Sequence, residues 1–158
     1  MKRAAAEVDN PSTRIIQKEV VLGLHDRVLA FYGGQEGFRA SEASALDNLS
    51  YLEAMVEQKA YSAPTSELAA YYLQDLVQTK PFLAGNRQTA WVCACVVIAK
   101  NNEPLVVPDY AQATRIILGA EKGVFTRDEL ARYFGKLILH GRALRDSLQA
   151  TPKRSRPR

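Results

Sequence analysis

The chain has 158 residues, 47% of them hydrophobic and 24% charged, with a formal net charge of +4. That length suits one domain with its own core, and the composition excludes a fibre, a disulfide scaffold and an intrinsically disordered chain. The charge belongs to the end of the chain: Lys153, Arg154, Arg156 and Arg158 stand there without an acid, and setting those four aside leaves 17 basic residues against 17 acidic ones.

A neutral body gives no electrostatic reason to expect a nucleic-acid-binding face. Residues 1–12 are expected as a flexible leader, 13–148 as a single domain and 149–158 as a basic, disordered tail. Weak contact with nucleic acid or an acidic partner would rest on that tail. From Thr13 the pattern is helical: Ile16, Val20, Val21, Leu24, Val28, Leu29 and Phe31 form an apolar stripe, and Gly33-Gly34 stops it. Ser41 caps a second helix, with Leu46, Leu49, Leu52, Met55 and Val56 inward. After a loop over 58–65, Thr65 or Ser66 caps a third helix carrying Leu68, Ala69, Tyr72, Leu73, Leu76 and Val77.

Pro81 breaks that pattern. A helix from about 87 to 100 follows, apolar nearly all round, as expected of the buried centre of a bundle. A strand rivals it only at Val96-Val97-Ile98, and length and alanine content favour helix. Asp109 to about Glu121 forms another helix, with Ala113, Ile116, Ile117 and Ala120 inward. The last opens on a capping box, Thr126-Arg127-Asp128-Glu129, and shows Leu130, Tyr133, Phe134, Leu137 and Ile138 on one face. The expectation is an all-α fold: a compact bundle of about six helices around the central helix 87–100.

Cys93 and Cys95, two apart on a helix, point to different faces and cannot pair. With only His25 and His140 besides, no metal site is expected. The thiols suit burial in a reducing compartment. No apolar segment follows Met1-Lys2-Arg3, and the run Ala90–Ala99 is half a membrane span. The protein is expected to be cytoplasmic and off the membrane, although export by a dedicated secretion system leaves the same pattern.

Chemistry concentrates at Lys80-Pro81-Phe82-Leu83-Ala84-Gly85-Asn86-Arg87-Gln88-Thr89, a short loop feeding the start of the most buried helix. Free amides and the helix dipole there form an anion site. Gly85 allows close backbone approach, Asn86 is a good N-cap, and Arg87 adds a cation. Many loop-to-helix junctions look alike and bind nothing, so an empty junction remains the alternative.

This segment resembles the core motif of the Fic/Doc superfamily, matching it at Pro81, Phe82, Gly85, Asn86 and Thr89. Leu24-His25-Asp26 with Phe31-Tyr32-Gly33-Gly34, Leu68 to Leu73, and the alanine-rich helix ending in Asn101-Asn102 are similar to Doc-like (death-on-curing) proteins. The likeness covers roughly residues 15–140. It implies the family's all-helical fold and a transferase that moves a phosphoryl or nucleotidyl group from ATP or a related nucleotide to a protein hydroxyl. Doc-like members are toxins that phosphorylate a translation elongation factor and are restrained by an antitoxin.

The resemblance also implies a motif histidine as general base, an acid holding magnesium, and basic residues binding phosphate. Here Lys80 stands for the histidine; a lysine ammonium, with an ordinary pKa of about 10.4, does not accept a proton at neutral pH. Ala84 stands for the acid and cannot ligate magnesium. Arg87-Gln88 stands for a Lys-Arg pair. The predicted site is therefore Gly85, Asn86 and Arg87 for phosphate, with Phe82, Gln88 and Thr89 as accessories and Lys80 at the base position.

The reading that follows is a Doc-like, toxin-derived domain that binds a nucleotide, a phosphate or a protein partner, with little or no catalysis of the family's kind. The alternative is an active ATP-dependent transferase acting as the toxin of a toxin–antitoxin pair. His25 is expected to be structural, His140 to end the last helix, Trp91 and Tyr72 to lie in the core, and Tyr32, Tyr61 and Tyr71 to be candidates for partner contact. Neither Glu36-Gly37 nor Glu121-Lys122 fits the pattern of the inhibitory glutamate many Fic proteins carry, so regulation in cis is not indicated.

Overall fold

A computed structural model describes residues 10–150. Its helices are α1 (Lys18–Tyr32), α2 (Glu42–Lys59), α3 (Thr65–Thr79), α4 (Asn86–Lys100), α5 (Tyr110–Glu121) and α6 (Arg127–Gln149), with a short 3-10 turn at Pro11–Thr13. Among the described residues there is no strand, only an isolated antiparallel bridge between Phe38 and Phe82. The fold is all-helical, as the periodicity predicts.

The chain enters differently from the expectation of a helix at Thr13. Ile15 and Ile16 are both buried, yet they lie ahead of α1, which begins only at Lys18. The backbone at 14–17 is instead held from outside. The Tyr72 hydroxyl accepts from the Ile16 N–H at 3.0 Å and donates to the Ile16 carbonyl at 2.6 Å. Arg14 donates to Asn101 and Lys100 to the Ile15 carbonyl. Of the expected leader, residues 1–9 lie outside the described region, and Pro11 is buried. The basic segment 151–158 also lies outside it, while α6 runs on to Gln149.

Side-chain caps open three of the six α-helices. Ser41 accepts from the Ser44 N–H, Asp109 from the Gln112 N–H, and Thr126 with Glu129 completes the capping box. Neither Thr65 nor Ser66 caps α3, however: Pro64 is its N-cap, without a side-chain bond. His140 does not end α6 but sits inside it, so the dipole gives it no special place.

The core is built from α3 and α4. Seven residues of α4 are buried, among them Ala90, Cys93, Ala94, Val97 and Ile98. Its Val92, Cys95 and Val96 are half-buried, so the helix is not enclosed all round. Helix α3 shares the centre: it packs most extensively on α4 and α6 and also touches α2 and α5. Tyr71, offered as a partner contact, is buried, with the Arg127 guanidinium 3.8 Å above its ring; a cation over an aromatic face is attracted by the ring quadrupole. Phe31, placed on the core stripe, is instead 82% exposed in the last turn of α1, its ring edge-on to that of Tyr32.

The connector between α4 and α5 crosses α6 at Gly141. A Cβ there would lie 2.8 Å from the Pro104 carbonyl oxygen, a backbone atom that cannot swing away. Glu103 pairs with Arg142 at the same crossing. Gly141→Ala is expected to cost about 1–3 kcal/mol as an overpacking substitution, measured by urea unfolding. A neutral result would show that the connector slides freely on α6.

Candidate functional site

The loop from 80 to 85 is shaped at both ends by backbone constraints. Pro81 disfavours the right-handed helical conformation at the residue before it, and Lys80, the C-cap of α3, takes a left-handed conformation (φ 47°, ψ 62°). At the other end Gly85 has φ 78° and packs against Val28, Leu29 and His25 of α1; a Cβ would meet Leu29 and Val28 at 3.3 Å. Glycine is the residue that meets both demands without strain.

Between those ends the loop is pinned from several directions. The Phe82 N–H donates to Asn86 Oδ1 at 3.0 Å, and Asn86 Nδ2 donates to the Phe82 carbonyl at 2.8 Å. The His25 ring stacks on Phe82 at 3.6 Å, and its Nε2 lies 2.9 Å from the Ala84 carbonyl oxygen. A carbonyl only accepts, so that nitrogen carries the proton. Segment 37–39 adds two backbone bonds: Arg39 N–H to Pro81 O and Leu83 N–H to Gly37 O, both 3.0 Å.

These contacts correct part of the predicted site. Asn86 does not cap α4; Gly85 is the N-cap, and the Asn86 amide is spent on Phe82. Phe82 is buried beneath the loop, and Thr89 is fully buried. Neither lines the surface hollow at this junction.

That hollow, about 330 Å³, is lined by Lys80, Ala84, Gly85, Asn86, Arg87 and Gln88 of the motif, together with Arg39, Val77, Leu83 and Glu121. The first intrahelical N–H bond of α4 runs from Thr89 to the Gly85 carbonyl. The amides before it are the orphan donors of any helix start.

Glu121, the last residue of α5, closes the hollow. One carboxylate oxygen lies 2.7 Å from Lys80 Nζ and the other 2.6 Å from Arg87 Nε. The hydrogen bond from Arg87, then that from Lys80, holds the Glu121 carboxyl down at about 2. The two cations thus converge on one anion. Glu121 does not fit the family's inhibitory pattern, yet it occupies the motif's cations. Its position carried a faint signal: an acid in the last turn of a helix opposes the dipole and wants a partner elsewhere.

The pH dependence follows. A carboxyl with a folded pKa below its ordinary 4.5 stabilises the fold fully above that value, and the contribution fades as pH falls towards about 2. The stability difference between the wild type and Glu121→Gln is expected to shrink across that window, read from melting temperatures at successive pH values. A constant difference down to pH 2 would show that the ion pairs do not set it.

Together these features define an all-helical domain with a rigid loop and helix junction that gathers two cations around an anion. The model of the Fic/DOC family matches residues 15–98, which include the whole junction. The chain belongs to the Fic/DOC family. Residues 99–140, which the sequence likeness also took in, lie beyond that match. No curated protein matches the chain.

Proposed function

We propose that this Fic-type domain binds the phosphate of a nucleotide or a related anion at the start of α4, with little or no catalysis of the family's kind. One observation carries the reading: Lys80 and Arg87 already grip an anionic group, the Glu121 carboxylate, at the mouth of the hollow beside Gly85. A phosphate oxygen is recognised by the same donors. An incoming phosphate competes with Glu121 for them.

The chemistry argues against turnover. Lys80, at the position of the family's histidine base, is engaged with the Glu121 carboxylate. The family implies ATP with magnesium, and these residues fit the first better than the second. Ala84 presents a methyl group at the acid position, and among the described residues lining the hollow the single carboxylate is Glu121, held by two cations. Membership in the family brings protein partners as a class, an antitoxin-like regulator or a translation-related target.

Calorimetric titration with ATP, with and without magnesium, tests the reading. Weak, magnesium-independent binding is expected. Arg87→Ala should weaken it by about 1–2 kcal/mol, the lower part of the range for a charged hydrogen bond, because the Arg87 side chain is 55% exposed and solvent screens the pair. Strong magnesium-dependent binding, or label transferred to a protein hydroxyl, would overturn the binding reading in favour of an active transferase.

A further inference from the structure

Arg39 stands at the same hollow and comes from outside the motif. Its backbone is fixed by the bond to Pro81, and its neighbour Phe38 by the bridge to Phe82. Its side chain therefore starts from a rigid base. It lines the 330 Å³ hollow with Lys80, Arg87 and Glu121. It also lines a smaller adjoining hollow of about 60 Å³, again with Lys80 and with Ser44, Asn48 and Thr79.

Charge decides what Arg39 is for. Lys80 and Arg87 share the Glu121 carboxylate. The Arg39 guanidinium has no hydrogen bond or ion pair among the described residues. Three cations thus face one carboxylate around a joined pair of hollows, leaving two positive charges uncompensated. A single phosphate group occupies Lys80 and Arg87, whereas a phosphate chain can place one group on that pair and the next towards Arg39. Arginine suits this because its planar fork matches phosphate oxygens.

We infer that Arg39 holds the second phosphate group of a polyphosphate ligand, which makes the hollow selective for a diphosphate or longer chain over a single phosphate. This rests on the anion-site reading above.

Titration of the full chain with inorganic phosphate and with pyrophosphate, both without magnesium, tests it. The wild type should bind pyrophosphate at least about tenfold more tightly, the worth of one good charged hydrogen bond. Arg39→Ala should abolish that preference and change phosphate affinity by less than about twofold, whereas Arg87→Ala should weaken both anions. Arg39 is exposed, so the variant keeps its fold, which a melting curve verifies; Arg39→Gln repeats the test with the stem retained. Equal binding of the two anions by the wild type, or equal losses of both in Arg39→Ala, overturns the role of Arg39 and leaves the anion site standing. Failure of the wild type to bind either anion removes the anion site, and the role of Arg39 with it.

Discussion

Ile98→Ala is expected to lower the unfolding free energy by about 2–5 kcal/mol, the range for truncating a large aliphatic side chain in a packed core. Ile98 is fully buried in the cluster that joins α3 and α4, with Val97, Ala94 and Cys93 of its own helix and Leu73, Leu76 and Val77 of its partner. Alanines at 69, 70, 90 and 94 are likewise buried, so the helices already approach closely. The backbone cannot collapse much further to fill the space, and the cost should include a cavity as well as the lost transfer energy. Urea unfolding measures it, with half-buried Val96→Ala as the milder companion. A loss under about 0.5 kcal/mol, the scatter of surface substitutions, would mean that Ile98 is not held where α3 and α4 meet.

Much of this architecture was legible because its causes are local. Caps at Ser41 and Thr126, the proline after Lys80 and the glycines at 33 and 85 act over a few residues and announce themselves in order. The errors fall where a distant residue decides. Ile15 and Ile16 look like the start of a helix until Tyr72, 56 positions on, binds the Ile16 backbone. Asn86 has the profile of an N-cap, but Phe82 takes both ends of its amide. Tyr71 could have been a surface aromatic until α6 laid Arg127 over it. The candidate site divides the same way. Lys80, Gly85 and Arg87 sit in one contiguous stretch that the sequence singles out, and they line one hollow. Glu121 and Arg39 reach the hollow from α5 and from the turn after α1, and no spacing rule links them to it.

The other large effect is expected from restoring the family's pattern. Lys80→His with Ala84→Asp should confer on the protein the transfer of label from ATP to a protein hydroxyl, in magnesium-containing buffer with cell extract. Each change has room to act. Lys80 adopts a left-handed backbone conformation, which histidine tolerates better than most residues. Gly34 approaches Ala84 so closely that a Cβ on it would lie 2.9 Å from the Ala84 Cβ. A longer side chain at 84 must therefore turn away from Gly34, towards the hollow that Ala84 already lines. Replacing Lys80 also leaves Glu121 with Arg87 alone, loosening the internal anion's hold on the site. A positioned base contributes about 10²–10⁴-fold to a proton-transfer step. Lys80→His alone would still lack the carboxylate, and Ala84→Asp alone would still lack the base. Both single variants should stay silent. If the double variant binds ATP and still transfers nothing, the deficit lies elsewhere in the junction, with Gln88 in place of the family's second cation as the next position to restore. If the wild type already transfers label, Lys80 is compatible with catalysis and the silent-site reading fails outright.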